Sequence, residues 1–284
     1  MKALVLEEYN QLVYQDVPEP TLEPDDVLIQ VKACGICGSD VHGMDGSSGR
    51  RIPPLIMGHE ASGIIADVGS NVDKFHTGER VTFDSTIYCG VCFYCRRGEI
   101  NLCENRRVLG VSCDEYRQNG AFAEYVAVPQ RILYRLPEDV IFEHAAMVEP
   151  CSIAFHAVGR TAISLNDTAV VVGAGIIGLL VIQALRAAGC GKIIAIDIDQ
   201  EKLDLAQKFG ADFGFNSIET DVIPKIDELT NDRGADVVFE AVGITHSVKT
   251  AVAAVRKGGT VTLIGLMSPM VDLPLQSVVT REIT

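Results

Sequence analysis

Cys89, Cys92, Cys95 and Cys103 follow one another closely enough for four thiolates to close a tetrahedral shell around one zinc ion. Such a shell has no open coordination position, so the metal it holds is structural. An iron–sulfur cluster is the competing chemistry, because it also uses a Cys-x2-Cys-x2-Cys run. The ferredoxin run, however, ends in a three-residue gap and Cys-Pro, whereas here seven residues separate Cys95 from Cys103 and Glu104 follows. Nearer the N-terminus, Cys34-Gly35-Ile36-Cys37 has the spacing of a redox dithiol. That chemistry needs a thioredoxin-type βαβ unit around it, which the sequence does not offer. A better reading pairs one of these cysteines with Gly58-His59-Glu60, since cysteine, histidine and a carboxylate are ligands of catalytic zinc sites that keep one position open.

A third constellation points to a dinucleotide. Gly173-Ala174-Gly175-Ile176-Ile177-Gly178 fits G-x-G-x-x-G, and it closes an apolar run and opens a helical pattern, the context that the motif requires. Gly173 permits the tight turn, Gly175 lets the backbone approach a pyrophosphate at the helix N-terminus, and Gly178 lets helix and strand pack closely. Asp197 ends the next apolar run. A carboxylate there accepts hydrogen bonds from the ribose hydroxyls of NAD and repels the additional phosphate of NADP.

The elements that must position these residues fall into two halves. The first half reads as short strands and turns: 27–32 after the turn residues Pro24-Asp25-Asp26, then 61–68 and 122–128, with no sustained helical periodicity. From about residue 160 strands and helices alternate. Strands are expected at 169–172, 192–196, 237–239 and 260–264, and helices at 178–188, 202–209 and 247–256. The continuous apolar run Ala169-Val170-Val171-Val172 suits a parallel strand buried on both faces. The fold class is α/β, with a doubly wound parallel sheet in the second half. Domains of 1–155 and 156–284 are expected, with the boundary near 150–160.

Bulk properties agree with a globular, two-domain chain. Its 284 residues are 48% hydrophobic and 22% charged. The net charge of -14 argues against nucleic acid or an anionic membrane as partner. No apolar run is long enough to span a bilayer, and Met1-Lys2-Ala3-Leu4 does not begin a signal peptide. The expected location is the cytoplasm. Nine cysteines, an odd number in a reducing compartment, are then to be explained by metal or catalysis and not by a disulfide framework.

Taken together, Cys37 with Gly58-His59-Glu60, the four-cysteine lobe and the dinucleotide fingerprint resemble the zinc-containing medium-chain dehydrogenase/reductase family. Gly35-Ile36-Cys37-Gly38-Ser39-Asp40-Val41-His42 resembles the family's catalytic-cysteine segment. Gly78-Glu79-Arg80-Val81 and Gly120-Ala121-Phe122-Ala123-Glu124-Tyr125 resemble two further motifs. The resemblance implies a GroES-like, mostly-β catalytic domain joined to a Rossmann domain, with the active site in the cleft between them. It implies that Cys37 and His59 bind a catalytic zinc. Typical alcohol dehydrogenases add a cysteine where this chain has Glu149, in Met147-Val148-Glu149-Pro150-Cys151-Ser152. This is similar to the polyol branch, which includes sorbitol, butanediol and galactitol-phosphate dehydrogenases, and there Glu60 or Glu149 completes the shell, directly or through water.

The same resemblance implies the chemistry and its participants. A zinc-assisted secondary hydroxyl of a polyol, sugar-alcohol phosphate or vicinal diol loses its proton, and hydride passes to NAD. Ser39 and His42 match proton-relay positions, Lys202 with Asp197 flanks the adenosine ribose, and Val242, Gly265 and Leu266 match segments lining the cofactor cleft. Two zinc ions per chain, a small polyol or diol substrate and a homodimer or homotetramer are expected, with no nucleic acid and no membrane. Two departures stand out. Sorbitol dehydrogenases carry tyrosine at the position of Gly43, and family members continue past the position matching Thr284, so the last part of the fold is absent from this chain. Arg281-Glu282-Ile283-Thr284 resembles the start of the last Rossmann strand. The alternatives are a threonine-type amino-alcohol dehydrogenase and a non-catalytic NAD-binding protein of the same fold. Finally, Arg50 and Arg51 end a Gly/Ser-rich stretch between the two zinc-binding segments, and two adjacent guanidiniums there could clamp a substrate phosphate.

Overall fold

The computed structural model describes residues 1–112 and 117–284. Its contacts divide the chain into two units, Met1–Glu149 and Pro150–Thr284. The helix Val148–Arg160 begins at that junction.

The first unit is built on an antiparallel five-stranded sheet. Its strand order is Leu133–Arg135, Arg80–Phe83, Glu60–Val68, Asp26–Gly35, Tyr125–Pro129. Alternate residues supply the core, as a half-buried sheet demands: Val27 and Ile29 from one strand, Ala61 and Ile65 from the next, Val126 and Val128 from the edge. A smaller sheet pairs Lys2–Glu8 with Gln11–Asp16 and Leu55–Ile56. The expected strand 122–128 starts later, at Tyr125, because Ala123 bridges Ala3 and Phe122 accepts from Leu4 N–H. Short helices, Gly38–Gly43, Phe93–Arg96 and Phe142–Ala146, are too brief to have shown a helical period.

The second unit is a parallel sheet in the order Phe213–Asn216, Lys192–Asp197, Thr168–Val172, Ala235–Glu240, Val255–Leu263. Its two faces are read by alternation: Val171, Ile193, Ala195, Val237 and Phe239 pack on one side, and Val170, Val172, Ile194, Ile196 and Val238 on the other. Helices Ile176–Ala188, Gln200–Lys208, Val222–Thr230 and Thr245–Ala254 connect the strands. The helix expected to run to Arg256 stops at Ala254, because Val255 pairs with Ala235 as a strand and Arg256 Nε reaches Asp236 at 2.7 Å. The strand Phe213–Asn216 and the helix Val222–Thr230 have no counterpart in the sequence reading. At the open edge, Thr284 donates to Gly259 and accepts from Val261, so the last residues lie along the strand Val255–Leu263.

Candidate active site

Antiparallel pairing brings the first ligand set together. Strand Asp26–Gly35 runs beside strand Glu60–Val68 with Gly35 opposite Glu60. The residues just beyond that end of the ladder are Cys37 on one chain segment and His59 on the other. Cys37 caps the helix Gly38–Gly43, and its N–H donates to Asp40 Oδ2 at 3.2 Å. One ligand atom each from Cys37, His59 and Glu60 lies within 4.8 Å of the others. His59 and Glu60 are buried, as polar groups are when something pairs with them. Burial opposes a charge on His59, but Asp40 and Cys37 overcome it and push the imidazole up to about 10. Burial raises the Glu60 carboxyl, partly offset by His59 and Cys37.

The surroundings of these groups are charged and largely buried. His59 Nδ1 is buried without a well-formed hydrogen bond, and Asp40 Oδ1 faces it at 3.5 Å. Arg51 Nη2 donates to that same oxygen at 3.2 Å and to Ser39 Oγ at 3.2 Å. Burial works against the Asp40 charge, yet His59 and Arg51 hold its carboxyl below the usual carboxylate range. Glu149 lies outside the three-residue cluster. Burial raises its carboxyl, His59 lowers it, Glu60 raises it, and Ser85 Oγ donates to it at 3.3 Å. The free thiol of Cys34 is pushed up to about 12 by burial, with the Asp40 charge adding to the rise. It is therefore a poor nucleophile at neutral pH.

The expected phosphate clamp is not formed. Arg50 is exposed, but Arg51 is only 3% exposed and is turned inward onto Asp40. Two adjacent arginines therefore do not face one ligand. Ser39 is half-buried beside this group, and His42 is exposed on the same short helix.

The second cysteine set is equally close. Atoms of Cys89, Cys92, Cys95 and Cys103 lie within 4.8 Å of one another, and Cys89 N–H donates to Cys103 Sγ at 3.2 Å. The turn itself favours thiolate: the amides of Val91 and Cys92 lower the Cys89 thiol to about 6. Cys95 moves the other way, to about 12, through burial and neighbouring sulfurs. Four sulfurs that cannot all ionise side by side are a donor set suited to a dication. No described cysteine is in a disulfide.

In the second unit, Gly173 adopts φ +96°, and a Cβ on Gly178 would lie 1.8 Å from Gly173 O. Only glycine fits either place. Gly175 caps the helix Ile176–Ala188, with Ile176 exposed and Ile177 half-buried. Asp197 Oδ2 accepts from Ala174 N–H at 2.6 Å, so its carboxylate is tied to the glycine loop. Lys202 reaches Asp199 at 4.0 Å. Val242 packs where a Cβ on Gly173 would sit, and the Gly243 backbone lies against Gly265 and Leu266.

Two family models match this chain. Residues 23–138 match the alcohol dehydrogenase GroES-like domain, and residues 177–284 match the zinc-binding dehydrogenase model. Sorbitol dehydrogenase of Bacillus subtilis (strain 168) is 38% identical over 278 residues, which cover 97% of this chain and 77% of that enzyme. The chain belongs to the zinc-dependent alcohol and polyol dehydrogenases. D-arabitol-phosphate dehydrogenase of Enterococcus avium is 37% identical, over 97% of this chain and 78% of its own length. Galactitol-1-phosphate dehydrogenase of Escherichia coli shares the fold with a TM-score of 0.90 at 31% identity, covering 100% of this chain and 82% of that one. Two further solved structures carry nicotinamide cofactors. An alcohol dehydrogenase from E. coli CFT073 is complexed with NADH (TM-score 0.90, 32% identity, 100% and 82% coverage). A zinc-binding dehydrogenase from Sinorhizobium meliloti 1021 is bound to NADP (TM-score 0.91, 34% identity, 99% and 82% coverage).

For this dehydrogenase, the sequence does not announce the roles of three charged residues. Asp40 stands inside the quoted cysteine segment, and a carboxylate three residues past a ligand was the available signal. Arg51 is expected from the sequence as half of a phosphate clamp, and the structure turns it inward onto Asp40 instead. Glu240 is fully buried at the end of a central strand, and its Oε1 accepts from Val242 and Gly243 N–H at 2.8 and 2.7 Å. It thereby shapes the loop that abuts Gly173. Among the described residues, no helix is long and apolar enough to cross a membrane.

Proposed function

We propose that this dehydrogenase oxidises a secondary hydroxyl of a polyol, sugar-alcohol phosphate or vicinal diol, with NAD as hydride acceptor. The observation that carries the reading is the buried convergence of Cys37, His59 and Glu60, with a second carboxylate, Glu149, where typical alcohol dehydrogenases have cysteine. Cys37, His59 and Glu60 would hold the catalytic zinc, and Cys89, Cys92, Cys95 and Cys103 the structural one. When bound, zinc supplies Lewis acidity towards the substrate hydroxyl, and NAD supplies the hydride acceptor.

The chain's own residues supply positioning and proton handling. Asp40 faces Nδ1 of His59 and so leaves the other ring nitrogen for the metal. Ser39 Oγ accepts from Arg51, which leaves its O–H free to pass on a proton; His42 on the same helix is exposed and can release that proton to water. In the second unit, Gly173, Gly175 and Gly178 open room for a pyrophosphate, and Asp197 is the carboxylate for the ribose. The buried Arg51 removes the paired-arginine argument for a phosphorylated substrate.

A substrate panel tests the reading. NADH formation is followed with free polyols, vicinal diols, sugar-alcohol phosphates and threonine, each with NAD and with NADP. The expected result is the highest kcat/KM for a polyol, sugar-alcohol phosphate or diol with NAD. Preference for threonine, or for NADP, contradicts it.

A further inference from the structure

We infer that Arg51 is a positioning residue for the metal-binding histidine, acting through Asp40, and that Gly43 is what admits it. The inference rests on the reading that Cys37 and His59 hold the catalytic metal.

Three observations carry it. First, a buried guanidinium is costly unless it is paired, and Arg51 is 3% exposed against an Asp40 that is 2% exposed. Second, Asp40 is shared. Its Oδ1 takes Arg51 Nη2 at 3.2 Å and faces His59 Nδ1 at 3.5 Å, while its Oδ2 takes the Cys37 N–H at 3.2 Å. One carboxylate thus touches both segments that supply the metal ligands. Arg51 Nη2 donates to that carboxylate and also to Ser39 Oγ at 3.2 Å. Without the guanidinium, Asp40 would be left buried with one partner fewer and free to rotate away from the imidazole. Third, the path of the Arg51 stem needs Gly43: a Cβ there would come within 2.4 Å of Arg51 Cγ. The two positions are therefore coupled sterically, although they are eight residues apart.

Partners that orient a metal-binding histidine typically contribute about ten- to hundredfold in metal affinity. The test uses the full chain and zinc itself as the probe. Wild type, Arg51→Ala, Arg51→Lys, Gly43→Ala and Gly43→Ala/Arg51→Ala are dialysed against graded zinc buffers, and zinc per chain is counted. The four-cysteine lobe is the internal reference. Cobalt-loaded samples add a ligand-field spectrum of the Cys37/His59 site. Arg51→Ala is expected to weaken the Cys37/His59 site about tenfold or more and to shift its cobalt bands, with the lobe unchanged. Arg51→Lys keeps the charge and should lose less; it also serves if the alanine variant does not fold. Gly43→Ala should move in the same direction as Arg51→Ala, and the double variant should be no worse than Arg51→Ala alone. Wild-type affinity and bands in the Arg51 variants would overturn the inference, as would equal losses at both metal sites. A wild type that takes metal only at the lobe would overturn the underlying reading of Cys37 and His59, and this inference with it.

Discussion

Asp197 spends its carboxylate on three backbone amides. Its Oδ2 accepts from Ala174 N–H at 2.6 Å, and its Oδ1 from Ile198 and Asp199 N–H at 2.8 and 3.1 Å. The carboxylate is therefore held in place before any ribose arrives. A ribose hydroxyl bonded to it gains a charge-assisted hydrogen bond, worth about 1.5–3 kcal/mol. Asp197→Ala should weaken NAD by roughly ten- to hundredfold and narrow the preference over NADP, as read by calorimetry with both cofactors. Unchanged NAD affinity would remove Asp197 from the cofactor site. The same scale shows what a sequence conceals. Cysteines and histidines at ligand spacing declare themselves by type, and so Cys37, His59 and the four-cysteine set were legible. Asp40 was not, because a carboxylate among Gly and Ser residues reads as solvated, and Arg51 beside Arg50 reads as a phosphate ligand and not as a partner of Asp40. Only the non-local pairing of Gly35 with Glu60 brings His59 to Asp40 and turns their surroundings into an interior.

At the level of elements, the two ends of the four-cysteine lobe are joined by the short antiparallel pair Thr86–Ile87 with Arg107–Val108, and little regular structure lies between them. Its regular structure is a four-residue helix, Phe93–Arg96, and a single 3-10 turn, Ile100–Leu102, and it exposes Val91, Phe93 and Leu102. Metal bound in such a shell contributes on the order of 10 kcal/mol to local order. Cys103 is 2% exposed and accepts from the Cys89 amide, so it ties the two ends of the lobe together. Cys103→Ser should therefore lower the melting temperature and solubility, with activity falling only as the lobe is lost. An unchanged Tm on a differential scan would contradict a structural metal there. The Rossmann elements were legible where strands are apolar throughout and helices are amphipathic. The strand Phe213–Asn216 escaped because it is short and half-buried, and the helix Val222–Thr230 because Pro224 interrupts its pattern. Pro224 lies in the first turn, where a missing N–H costs nothing to the helix.

For the whole molecule, the net charge of -14 bears on solubility and not on the fold. On the proposed reading, the first unit carries two cysteine-containing metal sets and the second a glycine-rich dinucleotide loop, so the two should depend on metal differently. Cys37→Ser separates them most directly. Zinc per chain is counted by elemental analysis, NAD affinity is measured by calorimetry, and NADH formation is followed on the best substrate. Wild type should hold about two zinc ions and the variant about one, since a serine hydroxyl is a weak ligand beside His59. The fold and NAD affinity should persist while kcat falls by roughly three orders of magnitude or more, as several kcal/mol of Lewis-acid assistance are lost. A Cys37→Ser protein that has lost one zinc and still turns over near the wild-type rate would contradict catalysis at Cys37, His59 and Glu60.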